Sequence, residues 1–383
     1  MTTTLDADAL TKYRLRGDVA AAVPTPSLVV YPELLYDNIS RAVQQVGDAA
    51  QLRPHFKTHK TVQVVQFLQS FGVKKHKCAT IAEAETLAAA GARDVLLAYP
   101  LVGPNVARFK KLRAANSGVV FRTIVDHPSS LSALLDAKEP DEPPFEIMVD
   151  VNVGMDRTGA AIDDKAADLY RRIAGDPRAV PAGLHVYDGH TNQPDVAERA
   201  AQVDRVWSAV QQFVGRLENE GLFIPRIVVG GTGGFRRWGE LCRSERRLEC
   251  SPGTLFLNDW GYYSKYQDLP YFPSIVLLSR VISKPRPGRL TLDLGSKAVS
   301  SDSDVAKRVK LLGLPDVQII GQHEEHLVVE APDADAIDIG TLFYAWPNHI
   351  CPTVALHQEL LVCEAGEIVD AWLVVARDRR ITV

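Results

Sequence analysis

"QLRPHFKTHK", residues 51–60, sets two lysines, two histidines and an arginine around one proline and one phenylalanine. Its first six residues read as a short strand, and that reading decides the fold. With "QLRPHF" included, eight β-rich runs follow one another between about residue 51 and about residue 255: "QLRPHF", "KHKCAT", "DVLLAY", "VVFRTIV", "FEIMVDV", "AGLHVY", "RIVVG" and "RLECS". Helical patterns lie between them, which is the mark of parallel βα units. They include "TVQVVQFLQSF", "IAEAETLAAAG" closed by Gly91, "PNVARFKKLRAA" opening on Pro104, and "PDVAERAAQVDRVWSAVQQFVGRLENEG". In the last of these Val196, Ala200, Val203, Val206, Val210, Phe213 and Leu217 keep helical spacing and leave the charges on the far face. Eight such units in about 200 residues fit an α/β (β/α)8 TIM barrel better than an open doubly wound sheet.

Beyond Asp268 the texture changes. "SIVLLSRVISK", "RLTLDLGSKAVSSD", "HLVVEA", "TLFYAWPNHIC", "ALHQELLVC" and "IVDAWLVVAR" are strand-like runs separated by turns. The N-terminal "PSLVVYPELL" is also strand-like but comes too early for the barrel, so it is expected to join that β domain. The expected organisation is an N-terminal segment over residues 1–40, a barrel over 41–264 and a C-terminal β domain over 265–383.

A net charge of −4 and a pI near 6.2 leave no electrostatic footprint for nucleic acid or an anionic membrane. No apolar run approaches ~18 residues and the start has no apolar signal core, so a cytoplasmic protein is expected. Five scattered cysteines without a CxxC pair argue for thiols or metal ligands rather than a disulfide framework.

Active sites of such barrels collect at the C-terminal strand ends. Those ends carry Lys57, Thr80, Tyr99, "DRTG" with Arg157, "YDGH" with Tyr187 and His190, "GGTGG" at 230–234 and "SPGT" at 251–254. "GGTGG" can be a plain turn or a phosphate cradle, and its place after the seventh run favours the cradle. A phosphate there, facing a lysine at the end of the first run, suggests a phosphorylated aldehyde cofactor on Lys57; a solvated basic loop is the bland alternative. "PNHIC" holds the other constellation. If it continues a strand, His349 and Cys351 point to one face, and imidazole plus thiolate suits zinc; a packed strand end is the alternative. "GQHEEH" (321–326) reads as a solvated turn, and Lys297 lies outside the barrel.

Taken in order, "TPSLVVYPELLYDNI", "RPHFKTHK", "DVNVGMDRTG", "YDGH", "ECSPGTLFLND", "LDLGSKAVSSD" and "PNHIC" resemble the D-threonine aldolase and D-serine dehydratase family of fold-type III pyridoxal-phosphate enzymes, whose fold is alanine racemase-like. The resemblance implies pyridoxal 5'-phosphate on Lys57, with His59, Arg157, Tyr187, Gly230, Gly231, Thr232 and Gly233 around it. Arg157 would face the phenolic oxygen, and Arg53, His55 and His59 would hold positive charge beside Lys57. It further implies a divalent metal (zinc, manganese or magnesium) on His349 and Cys351, and His190 near that metal as acceptor of a substrate hydroxyl proton. The cysteine in "PNHIC" is typical of dehydratases, whereas "YDGH" resembles the aldolases. The expected activity is therefore a lyase that splits a D-3-hydroxy-amino acid into glycine and an aldehyde, with β-elimination as the alternative; racemisation or non-catalytic cofactor carriage ranks lower. The expected partners are a small D-amino acid and a second copy of the chain, with neither nucleic acid nor membrane.

Overall fold

The computed structural model describes residues 2–379 and 382–383. By packing, the chain divides into two units. One comprises Ser40–Lys57, Val62–Gly253 and Asp378–Val383, and the other Met1–Ile39, Thr58–Thr61 and Thr254–Arg377.

The first unit is built on parallel strands in the order Lys75–Cys78, Asp94–Leu97, Val120–Val125, Phe145–Asn152, Ala179–Val186, Ile227–Val229 and Leu248–Cys250. The eighth member is the opening stretch itself. It forms no regular ladder, because Pro54 has no N–H to donate. Instead Leu52 bridges Cys250 and His55 bridges Lys77, so the segment links the two outermost strands. Arg53 N donates to Cys250 O (2.8 Å) and Lys77 N to Pro54 O (2.8 Å). The alternation of strands and helices expected from the sequence is thus present, with one strand reduced to bridges. The helices follow the predicted pattern, at Val62–Ser70, Ile81–Ala89, Pro104–Ala115 and Val196–Asn219. Thr80 caps the second by accepting from Glu83 N (3.1 Å), while Glu83 reaches back to Ala79 N (2.7 Å).

The barrel interior is layered. Leu96, Ile124, Met148, Ala182 and Val228 form an apolar layer. Toward the N-terminal strand ends lies a charged one: Arg53, fully buried, contacts Glu249 and Asp94 at 2.6 Å each, Lys75 contacts Glu249 at 2.5 Å, and Arg122 holds Asp94 and Glu146. Arg53 is therefore committed to the barrel floor. The expectation that its charge serves Lys57 is corrected, because two carboxylates, buried Glu249 and partly buried Asp94, already neutralise it.

The second unit is a nine-stranded, mostly antiparallel sheet. Its main path runs Gln318–Gln322, Leu327–Glu330, Arg289–Leu292, Ile275–Arg286, Ser27–Val30, Glu359–Glu364 and Glu367–Leu373; Leu342–Pro347 pairs with both Ile275–Arg286 and Val309–Leu311. The strand Ser27–Val30 pairs antiparallel with Ile275–Arg286 and parallel with Glu359–Glu364. Only Ser27–Val30 of "PSLVVYPELL" is strand, since Pro32 opens a helix to Val46. Tyr13, Tyr31, Val276, Leu278 and Trp346 anchor its core, where Trp346 Nε1 donates to Tyr13 Oη (2.9 Å). Tyr13 directly follows the helix Thr2–Lys12, which has no counterpart among the sequence expectations. No helix among the described residues is long and apolar enough to cross a membrane.

Candidate active site

Lys57 ends the barrel's opening segment in a single turn, Phe56–Thr58. Its backbone N donates to His55 Nδ1 (3.3 Å), and its half-buried amine has no hydrogen bond or ion pair among the described residues. Tyr187 follows the Ala179–Val186 strand. Its ring folds back over Gly189, where a Cβ would stand 2.6 Å from the ring, so "YDGH" needs its glycine for close approach. Arg157, although exposed, places its guanidinium 4.9 Å from the centre of the Tyr187 ring. Asn152 braces that loop: its Oδ1 accepts from Gly154 N (3.0 Å) and Asp156 N (3.2 Å).

The glycine loop leaves the Ile227–Val229 strand at Gly230, whose φ of +73° and 2.6 Å Cβ approach to Trp238 Cδ1 exclude a side chain. Gly231 lies under Tyr187, a Cβ there meeting its ring at 3.3 Å. Thr232 and Gly233 are buried, and Thr232 O accepts from Phe235 N (3.2 Å) as the Phe235–Cys242 helix begins. A glycine loop running into a helix N-terminus gathers backbone N–H groups and positive potential, which suits a phosphate. Beneath it Asp188 Oδ2 accepts from Trp238 Nε1 (2.8 Å) and Thr191 Oγ1 (3.0 Å). Burial pushes the Asp188 carboxyl pKa up against the pull of these donors.

His190 sits at the end of "YDGH" in the same unit. Its Nε2 accepts from Gln202 Nε2 (3.0 Å), and Arg205 occupies the Gln202 oxygen. The other ring nitrogen, Nδ1, is buried without a hydrogen-bond partner among the described residues. Deeper in the barrel His185 Nδ1 is hydrogen-bonded to Asp150 Oδ1 (2.7 Å), and burial lowers the His185 pKa against the pull of that carboxylate.

Sequence reasoning overlooked Lys77. It lies on the Lys75–Cys78 strand, is 2% exposed, and holds its amine 5.6 Å from the Tyr187 ring centre. Burial first, and the charge of Lys57 second, lower its pKa to about 7.

The residues expected to hold a metal lie in the β unit, along with His59, which is buried with Nδ1 accepting from Thr61 N (3.3 Å). "PNHIC" is not a strand. The strand ends at Pro347, His349 is the N-cap of the Ile350–Leu356 helix, and Cys351 is its second residue. The cause is Asp259, whose buried carboxylate accepts from Ile350 N (3.0 Å) and turns the chain into the helix. Burial raises the Asp259 pKa to about 6 against its two backbone donors. His349 and Cys351 still meet, since their side chains hydrogen-bond to each other. Asp302 Oδ2 lies 2.5 Å from His349 Nδ1, and Cys351 Sγ lies 3.2 Å from Thr58 Oγ1 and 3.4 Å from Thr254 Oγ1. Burial opposes a charge on His349, but Cys351 and Asp302 outweigh it and push its pKa up to about 9. No group of three or more His, Cys, Asp and Glu side chains with metal-holding geometry occurs among the described residues. The donor set is one imidazole and one thiol with a carboxylate behind the imidazole, which fits a borderline metal completed by non-protein ligands. Asp302 was visible only as the last letter of "LDLGSKAVSSD". Of "GQHEEH", Gly321 and Gln322 end the strand Gln318–Gln322 and only residues 323–326 are exposed, while Lys297 is paired with Glu324 (2.8 Å) and Glu325 (3.1 Å).

Residues 274–363 match the family described as "Putative serine dehydratase domain", and residues 31–255, more than half of the chain, match "Alanine racemase, N-terminal domain". The chain belongs to the alanine racemase N-terminal domain family. Within that setting it is 28% identical to the D-threonine aldolase of Arthrobacter sp over 364 residues, covering 94% of each chain. It is 24% identical to the D-threo-3-hydroxyaspartate dehydratase of Delftia sp. (strain HT23) over 377 residues, covering 93% of this chain and 98% of that one. The crystal structure of D-threonine aldolase from Filomicrobium marinum matches with a TM-score of 0.85 at 25% identity, covering 94% of this chain and 97% of the other. The alanine racemase-like fold expected from the sequence is the fold of this family member.

Proposed function

We propose that the chain is a pyridoxal-phosphate-dependent lyase that cleaves a D-3-hydroxy-amino acid to glycine and an aldehyde. Lys57 carries the reading: it is a half-buried amine with no acid partner among the described residues, at a strand end of a barrel whose glycine loop suits a phosphate. Pyridoxal phosphate, when bound, supplies an electron sink for the charge left at Cα. Around it, the backbone of 230–234 would take the phosphate, the Tyr187 ring would limit ring movement, and Arg157 would face the phenolic edge. A zinc or manganese ion on His349 and Cys351 would supply Lewis acidity at the 3-hydroxyl, with Asp302 fixing the His349 ring. His190 would take the hydroxyl proton at Nε2, which requires release of Gln202. The same reading includes a second copy of the chain and a cytoplasmic setting.

β-Elimination to an oxo acid and ammonia is the second reading, favoured by the dehydratase-family match over the segment carrying Asp302 and His349. There Lys57 would take the Cα proton. Incubating the metal-loaded holoenzyme with D-threonine, D-serine and 3-hydroxy-D-aspartate separates the two. Glycine plus aldehyde is expected; ammonia without glycine would establish the dehydratase, and turnover of none of the three would overturn both. Lys57→Ala should abolish the borohydride-trapped cofactor adduct, and an adduct on Lys60 or Lys297 would displace Lys57 from its role.

A further inference from the structure

Among the described residues, Lys77 is the one buried lysine, and neither the sequence motifs nor the proposed chemistry uses it. From the opening segment it faces Lys57 and, more remotely, Arg53, whose charge Glu249 and Asp94 neutralise. From the Phe145–Asn152 strand it faces Asp150, which is hydrogen-bonded to His185. From the Ala179–Val186 strand and its following loop come His185, the Tyr187 ring and Asp188, the last held by Trp238 and Thr191. Arg157 approaches the same Tyr187 ring. Lys77 itself makes no hydrogen bond or ion pair among the described residues.

A lysine buried without a counter-charge is costly in the empty protein, and methionine would fill the same space without that cost. The site that keeps it must gain when something anionic arrives. Two features say which anion. His55, two residues before Lys57, bridges Lys77 in the barrel wall, so the Lys57 turn starts beside Lys77, and an oxygen next to the carbon that bonds the Lys57 amine is offered to the Lys77 side. The Tyr187 ring, approached by both Lys77 and Arg157, marks the same side of the site.

We propose that Lys77 is a second cation for the phenolic oxygen of pyridoxal phosphate, working with Arg157, and that it takes up a proton when the cofactor binds. This rests on the cofactor reading of Lys57. The direction of the proton movement follows from the empty site. Lys77 titrates near 7 there, so at about pH 8 it is mostly neutral, and a neighbouring phenolate draws a proton onto it. At about pH 6 it is already charged and uptake at this residue vanishes.

The test uses the cofactor-free full chain, its Lys77→Met and Lys77→Arg variants, and two probes: pyridoxal phosphate and its 3-O-methyl ether, which has no phenolate. Binding is read by titration calorimetry in buffers of different ionisation enthalpy, which gives both affinity and protons exchanged. Lys77→Met should bind pyridoxal phosphate about tenfold or more weakly, as expected for a lost charge-assisted hydrogen bond. Lys77→Arg should keep the affinity within about threefold while losing the uptake at pH 8, since arginine is already charged. With the methyl ether, wild type and Lys77→Met should bind alike. The cofactor-free Lys77→Met protein should also melt higher than wild type, the opposite of a structural lysine. Equal affinity of wild type and Lys77→Met for pyridoxal phosphate would overturn the proposal, as would a defect that persists with the methyl ether. Failure of wild type to bind either probe would instead overturn the cofactor reading itself.

Discussion

Arg53 decides whether the opening stretch is primarily a cofactor element or a barrel closure. Its guanidinium is completely buried, with Glu249 and Asp94 each at 2.6 Å, so Arg53→Met removes the shared cation of one buried and one partly buried carboxylate. Breaking a buried ion pair from one side costs about 3–5 kcal/mol. Two cations remain to limit the damage, because Lys75 stays on Glu249 and Arg122 on Asp94. The expected loss is therefore at the lower end, about 3 kcal/mol. Urea unfolding of the cofactor-free protein, followed by circular dichroism and tryptophan fluorescence, measures it; two transitions are to be fitted separately where the two units unfold apart. Raising the salt to 1 M should leave the loss unchanged, since the pairs are shielded from the ions that screen surface charges. Arg53→Lys, which keeps the charge but not the two-armed fork, should fall between wild type and the methionine variant. A loss below about 1 kcal/mol in Arg53→Met, accompanied by a large fall in cofactor affinity, would refute the barrel-floor assignment and return Arg53 to the cofactor.

His76 is buried with neither ring nitrogen hydrogen-bonded among the described residues, and burial, then Arg53, lower its pKa from 6.5 to about 3. The unfolded chain therefore binds the extra proton, and stability present above pH 6.5 is lost as pH falls toward 3, by up to about 5 kcal/mol; His76→Phe should flatten that acid limb in pH-dependent urea midpoints. Asp302→Asn should weaken zinc binding by about 10–100-fold in chelator competition, because Asp302 orients His349, and unchanged affinity would mean that His349 is not a ligand. Gly230→Ala, at φ +73° and 2.6 Å from Trp238, should lose about 2 kcal/mol or more, whereas Gly231→Ala, 3.3 Å from Tyr187, should lose less stability; equal losses in thermal melts would contradict the packing of that loop.

The alternation of strands and helices was legible because it rests on local patterns: Thr80 and Glu83 at a helix start, Gly91 in the left-handed region at a helix end, Pro104 at another start. The candidate site was legible where a motif needs glycine, for the close approach of Tyr187 at Gly189 and for the left-handed backbone at Gly230. It was not legible where long-range burial sets the chemistry. "KHKC" alternates like a strand with one wet face, yet Lys75 and Lys77 point into the barrel, where one finds Glu249 and the other finds no acid partner. Period-two alternation separates two faces of a strand but does not say which of them is wet, and in a closed barrel the polar face can be the inner one. "PNHIC" failed differently. Its strand reading came from the apolar run "TLFYAW" before it, while the turn is imposed by Asp259, far away in sequence. The two donors survive the correction because an N-cap and the second residue of a helix are near enough for their side chains to meet, as His349 and Cys351 do. A helix start also fixes them better than a strand end would: Asp259 holds the backbone at Ile350 between them, and Asp302 holds the His349 ring. Loss of either carboxylate should consequently disorder the pair without removing a donor atom, whereas Cys351→Ser removes the soft donor and leaves the turn intact.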